Sequence, residues 1–366
     1  MASVQRRPDG RWRARYRDTA DKEHARHFTR KADAERWLDE IRSELLRGTY
    51  VDPAAGRVLF ADFARTWLEA QPHRAGTALL YERTLRLHVY PRIGDRPLAA
   101  VRRSDIQALI TSSAQHLAPK TVENHFRLIK AVFNAAVEDQ LIAVSPCRKI
   151  ARQPVAASRV VPLSVEQVER LVAATPQHFQ ALVITAVGTG LRQGEALGLR
   201  GQDVDFLRRE VHVRHQLVSV PGVTAHLGPP KTPSSLRTVP APAFVLEALA
   251  EHMRLFPPGP FGMIFSNTRG SVVNRQSLHR SLAAALRTAG LPAGITFHQL
   301  RHTYASLLID GGESVTVVAD RMGHKNVTET LHTYSHLWPS SDDKTRQVMD
   351  RAFAAVDALH VERAHP

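Results

Sequence analysis

Residues 145–162 read SPCRKIARQPVAASRVVP, with three prolines, four basic residues and no acid. Proline supplies no amide donor and fixes its own backbone, so a run spaced this way cannot sit inside a helix bundle or a sheet. It cuts the chain, leaving 144 residues before it and 204 after it, each obliged to bury a core of its own. At about 150 residues per domain, the full length of 366 residues implies two or three domains. The basic, acid-free composition marks an extended linker able to lie along a phosphate backbone. A second seam falls at residues 50–57, with Pro53 and Gly56.

Ahead of that seam, Arg11, Arg13, Arg15 and Arg17 alternate with Trp12, Ala14 and Tyr16. Period two predicts a strand with one apolar and one cationic face, entered through the turn pair Asp9-Gly10. A second short strand is expected over 25–28. Ala34, Trp37, Leu38, Ile41 and Leu45 then recur at helical spacing over 32–46. Between Met1 and Lys31 ten Lys or Arg face four Asp or Glu. Four arginines on one face repel unless an anion lies opposite, which favours a DNA-contacting strand. Residues 59–144 read as wholly helical. Phe60, Phe63, Ala64, Trp67 and Leu68 form one amphipathic stripe, and Val122, Phe126, Ile129, Phe133 and Val137 another. Ser104 and Gln107 fit a capping box.

Net charge narrows the partners. Forty-nine Lys and Arg against 35 Asp and Glu give +14, a field that favours a polyanion: nucleic acid or an anionic membrane surface. No run reaches the roughly 18 apolar residues of a spanning helix, and Phe179–Leu191, the longest candidate, is broken by Gly188 and Gly190. The N-terminus lacks the apolar core of a signal peptide. One cysteine, Cys147, excludes an internal disulfide and fits a reducing cytoplasm. A cytoplasmic, nucleoid-associated protein is the expectation.

After the linker, helical patterns surround a short strand set. Residues 210–218 alternate as one strand, and 236–239 read as its hairpin partner. Polar clusters interrupt this apolar segment: Arg192 and Glu195 within TGLRQGEAL (189–197), Lys231 within PPKTP, His298, Arg301 and His302 within FHQLRHT (297–303), His324 after Met322-Gly323, and Tyr334 within HTYSH. Two arginines can clamp the oxygens of one phosphodiester. Lysine and histidine can protonate a leaving alkoxide, histidine can take or share a tyrosine proton, and a tyrosine hydroxyl can attack covalently. The set suits phosphoryl transfer in which protein cations stabilise the charge. His298 and His302, four apart, offer half of a zinc site, but Gln299 stands where the metalloprotease glutamate would be. Neither metal nor cofactor is expected.

These strings, in this order, resemble the tyrosine recombinases, the phage integrase family, over nearly the full chain. The resemblance implies a multidomain, mainly α architecture with small β-sheets. An arm-type DNA-binding domain of sheet plus helix spans 1–50, an all-α core-binding domain 58–145, the basic linker 146–162, and an α+β catalytic domain 163–359. Arg192 and Arg301 match the phosphate-clamping arginines, Lys231 the hairpin lysine that protonates the leaving 5′ oxygen, and His298 and His324 the two catalytic histidines. Tyr334 matches the nucleophile, and Glu195 an acidic position that braces the site. Lys149 and Lys325 rank behind Lys231. Met322, Gln299 and Gly201 depart from common family residues without removing a catalytic group.

The function implied is site-specific recombination through a 3′-phosphotyrosyl intermediate, integrating or excising a phage or mobile element. Partners implied are double-stranded attachment sites, three further copies in a synaptic tetramer, an excisionase and a host DNA-bending factor. Arg11, Arg13, Arg15, Arg17, Arg148, Lys149 and Arg152 are the backbone-binding candidates. A stripe of Val348, Phe353, Val356 and Leu359 could dock on a neighbouring subunit or on its own chain. Rival readings are a type IB topoisomerase, a non-catalytic DNA-binding regulator on the same fold and a polybasic membrane-surface protein.

Overall fold

The arginine-alternating segment folds as the middle strand of a three-stranded antiparallel sheet in a computed structural model of the chain. The structure describes residues 2–18, 21–48, 50–52, 54–155, 160–338, 346–347 and 349–353. Strand β2 (Trp12–Arg17) lies between β1 (Ser3–Arg6) and β3 (Glu23–Phe28), with Ala14 opposite Val4 and Arg26. The apolar face is the covered one: Ala14 and Tyr16 are buried against Ala34, Leu38 and Ile41 of helix α1 (Lys31–Leu46). β1 was not anticipated, because Ser3-Val4-Gln5-Arg6 has one apolar residue and no legible period.

The middle segment is helical as expected: α2 (Phe60–Ala70), α3 (Ala75–Thr84), a wider turn over Leu85–Val89, α4 (Tyr90–Ile93), α5 (Arg103–Ala114) and α6 (Pro119–Glu138). Phe60, Ala64, Phe126, Ile129 and Phe133 share one core, with Phe63, Trp67, Leu68 and Val137 packed on its margin. The expected capping box is displaced. Helix α5 starts at Arg103, and Asp105 accepts the Arg102 amide at 2.7 Å. Gln107 is thereby released to clamp the linker, bonding the Ala151 carbonyl at 3.0 Å and its amide at 2.9 Å.

Beyond the linker, α8 (Gln177–Thr189) is apolar on every side and therefore central; it packs on α10 (Ala243–Leu255) and α12 (Phe297–Asp310). Around it lie α7 (Val165–Ala174), the short α9 (Gln193–Leu197), α11 (Arg275–Thr288), α13 (Val315–Met322) and α14 (Val327–Tyr334). The expected single strand over 210–218 is two strands. β5 (Glu210–Val213) runs between β4 (Val204–Asp205) and β8 (Arg237–Pro240), with Val211 opposite Val239. β6 (Gln216–Val218) leaves that sheet at Arg214-His215 and pairs with β7 (His226–Gly228) instead. Chain contacts divide into two units, 1–157 and 158–366, while the buried apolar residues form three clusters. Among the described residues, no helix is long and apolar enough to cross a membrane. Val348, Val356 and Leu359 lie outside the described residues, and Phe353 is exposed.

Candidate active site

Two helix stops bring the distant strings together. Helix α8 ends at Gly190 in the left-handed conformation (φ +63°), where a Cβ would lie 2.3 Å from the Tyr304 ring. Helix α13 ends the same way at Gly323 (φ +59°), where a Cβ would meet Arg237 Nη1 at 2.9 Å. Each stop frees carbonyl oxygens at the negative end of a helix dipole. Arg301, on α12 and 1% exposed, donates to the Gly190 carbonyl at 2.5 Å and to the Met322 carbonyl. Arg192 donates to the Gly323 carbonyl at 2.8 Å and to Ser235 Oγ at 3.0 Å. The glycine of each motif thus presents an oxygen to the arginine of another.

Glu195 fixes the second side of this cluster. Its buried carboxylate accepts from the Arg192 amide at 2.9 Å, Arg192 Nη1 at 2.9 Å and Arg237 Nη2 at 3.0 Å. Burial alone would raise its pKa, but Arg237 and Arg192 together hold it below the usual carboxylate range. A buried carboxylate with two guanidiniums leaves the cluster net positive, which suits an incoming anion. Burial, with Arg192 and Arg237 nearby, lowers the Arg301 guanidinium to about 9, so it stays charged at neutral pH.

Tyr334 closes α14 with 1% of its surface exposed, and its hydroxyl shares a 2.6 Å hydrogen bond with His302 Nδ1. The His324 ring stacks on Tyr334 at 6.5 Å between centroids and shares a 2.7 Å hydrogen bond with the Thr330 hydroxyl. His298 stands edge-on to His302 at 4.4 Å, on the wall of a cavity of about 840 Å³ also lined by Gln193, Arg275 and His279. All three histidines are held neutral. Burial, aided by the neighbouring arginines, lowers His298; burial with His298, Arg301 and His324 lowers His302 to about 4; burial with Arg301, Arg192 and Arg237 lowers His324 to about 3. Burial pushes the Tyr334 phenol up to about 12, against the pull of Arg301.

Arg192 at the cap of α9, His298 and Arg301 on α12, His324 just past α13 and Tyr334 at the end of α14 therefore converge. Lys231 is exposed on the loop between β7 and β8. The next residue, Thr232, bonds Ser235 Oγ at 2.9 Å, which ties that loop to Arg192. Among the backbone-binding candidates, Arg13 pairs with Glu23 at 3.3 Å, Arg17 with Asp21 at 2.9 Å, and Arg15 donates to Ser3 Oγ at 2.8 Å. Part of the anionic counterpart to that arginine face is thus supplied by the chain itself. Arg152 pairs with Glu123 at 3.3 Å and lies over the Phe126 ring, while Arg148 and Lys149 are exposed. Cys147 is buried, its thiol pushed up to about 11 by burial.

Two participants were not read from sequence. The Arg237 side chain is 4% exposed and bonds Glu195, the Ser235 carbonyl and the Arg321 carbonyl. The signal was there: it shares a strand face with buried Val239, and a cation on an inward face demands a partner. His302 is the second: its spacing sets it beside His298 on α12, while its contact with Tyr334 crosses to another helix.

Three sequence profiles match the chain in succession. The phage integrase N-terminal domain matches residues 2–47, the phage integrase central domain 60–153, and the phage integrase family 162–340. The chain belongs to the phage integrase family of tyrosine recombinases. It is accordingly an enzyme of the class that cleaves and rejoins DNA. Relatives include a XerC-like tyrosine recombinase of Caldanaerobacter subterraneus, 26% identical over 88% of this chain and 90% of that one. The integrase of Mycobacterium phage D29 is 26% identical over 88% and 89%. Among solved structures, the Tn1549 transposon integrase in complex with a circular intermediate DNA has a TM-score of 0.70 at 25% identity, covering 80% of this chain and 99% of that one. A lambda integrase tetramer bound to a Holliday junction shares the fold, with a TM-score of 0.57 at 18% identity, covering 89% and 96%.

Proposed function

We propose that the family chemistry is carried out here by Tyr334, with Arg192 and Arg301 holding the scissile phosphate, in the service of site-specific integration and excision of a mobile element. The observation that supports it most is the cluster around one buried phenol: His302 on its hydroxyl, His324 parallel to its ring and Arg301 acting on its charge, with Arg192 and His298 beside Arg301. Tyr334 Oη attacks phosphorus and the P–O5′ bond breaks, leaving a 3′-phosphotyrosyl bond and a 5′ hydroxyl. Lys231 supplies the proton to that leaving oxygen. His298 and His324 line the site as neutral donors to the phosphoryl oxygens. A 5′ hydroxyl of a partner duplex then attacks the phosphotyrosine and reseals the strand. Each phosphodiester broken is replaced by another, so no ATP is needed, and the guanidiniums supply the charge that a metal supplies elsewhere.

The domain roles follow from the same reading. The sheet with its arginine face is the arm-type domain, the helical segment grips the core site, and the exposed Arg148 and Lys149 lie on phosphates. Four copies assemble on two paired sites in the cytoplasm, on nucleoid DNA; an excisionase and a DNA-bending host factor set direction. A lambda integrase crystallised as a tetramer on a Holliday junction supports the stoichiometry. The test uses a nicked suicide duplex carrying the junction sequence at the edge of the encoding element. The wild-type chain should form a covalent adduct in EDTA, and Tyr334→Phe should bind the duplex yet form none. An adduct with Tyr334→Phe, or its loss in EDTA, overturns the chemistry. Relaxation of supercoiled DNA that lacks this site would favour the topoisomerase reading.

A further inference from the structure

None of the cations assigned to the phosphate accounts for the proton that Tyr334 must lose. The side chain that meets the phenol is His302, whose Nδ1 lies 2.6 Å from the Tyr334 hydroxyl. On the reading that Tyr334 is the nucleophile, we propose that His302 takes the Tyr334 proton during strand cleavage and returns it during rejoining.

Geometry favours His302 over the other two histidines. His324 already engages the Thr330 hydroxyl through Nδ1, and its ring runs parallel to the Tyr334 ring at 6.5 Å between centroids. His298 meets His302 edge-on and lines the open cavity. His302 is one residue beyond Arg301 on α12, so one rigid helix carries both the phosphate clamp and the proton acceptor. The groups facing His302 are His298 and Arg301 from its own helix, His324 from the end of α13, and Tyr334 from α14, with Glu329 on that helix acting on the phenol. Burial, with His298, Arg301 and His324 nearby, keeps the ring neutral at neutral pH, and in the tautomer with its proton on Nε2 the Nδ1 atom accepts from the phenol. A bound phosphodiester would offset the charge of Arg301, making His302 more basic as the nucleophile and phosphorus approach. The phenol becomes acidic in the same interval, because its oxygen is acquiring a bond to phosphorus.

The step balances. The Tyr334 Oη–P bond forms, the P–O5′ bond breaks, the phenol proton passes to His302 Nδ1, and the leaving 5′ oxygen takes a proton from Lys231. Rejoining runs both transfers backward, so the enzyme finishes each cycle in its starting protonation state.

Single-turnover cleavage of the nicked duplex tests this with His302→Asn, which keeps a hydrogen-bond acceptor near the Nδ1 position but cannot carry a proton. At pH 7 the rate should fall by roughly 10²–10⁴-fold with duplex affinity retained. It should climb again toward pH 10 as hydroxide removes the proton directly, while the wild-type rate changes little. A duplex with sulfur in place of the bridging 5′ oxygen needs no proton on its leaving group. It should rescue Lys231→Ala and leave His302→Asn slow. A His302→Asn rate equal to wild type, a pH-independent defect, or rescue by sulfur overturns the proposal. His302→Gln is read in the same way should the asparagine variant not fold. Tyr334→Phe runs alongside: if it still forms an adduct, the nucleophile itself is misassigned, whereas a dead Tyr334→Phe beside a fast His302→Asn removes only the role of His302.

Discussion

Arginine does two different jobs in the two ends of this chain, and the difference lies in what each guanidinium is given to hold. On the N-terminal sheet, Arg13 and Arg17 keep 41% and 48% of their side-chain surface in water and pair with exposed acids. In the catalytic segment, Arg237 and Arg301 keep almost none and are held by a buried carboxylate and by helix-end carbonyls. Water screens the first pair and lets the side chains rearrange onto any passing phosphate. Burial fixes the second pair in advance, so charge is aimed at one place before a ligand arrives. On the proposed function, the same residue type is a tether in one region and part of a reaction site in the other.

The largest expected break in this contrast is at Glu195. Glu195→Ala strands Arg192 and Arg237 without their carboxylate and should cost roughly 3–5 kcal/mol of stability, read as a fall in the melting of the catalytic segment. Arg301→Lys keeps the charge but loses the fork that spans the Gly190 and Met322 carbonyls. It should slow single-turnover cleavage by about 10²–10³-fold with little change in DNA affinity.

Protonation gives an intermediate effect. His302 and His324 titrate at about 4 and about 3 in the folded chain, against 6.5 when unperturbed. The unfolded chain therefore takes up protons first as pH falls. Stability from these groups is complete above pH 6.5 and drains away between 6.5 and about 3. Thermal melts over that range should show the decline, and His324→Gln should flatten it. The smallest effect belongs to the sheet: Arg13→Ala should leave cleavage of bound core DNA unchanged. It should reduce the salt slope of arm-DNA binding by about one.

Much of this was legible because the relevant information is local. Period-two arginines predicted β2, helical stripes predicted α1, α2 and α6, and each site string sits within one turn or cap. Contacts made across the chain were not legible in that way. Nothing near Arg237 in sequence announces Glu195, 42 residues earlier, and nothing near His302 announces Tyr334, 32 residues later. The strand break at Arg214-His215 was missed for a related reason, since alternation persists through it and only the change of partner, from β8 to β7, divides β5 from β6. The displaced cap on α5 reflects competition: Asp105 reaches the Arg102 amide, and Gln107 serves the linker instead.

On the proposed function, the buried phenol at the end of α14 is the group that joins the protein to DNA. Mass spectrometry of the trapped adduct, after protease and nuclease digestion, tests it directly. The expected result is a nucleotide linked through its 3′ phosphate to Tyr334 and to no other residue. A nucleotide attached to any other side chain, or a cleaved strand with no attached protein, would contradict it.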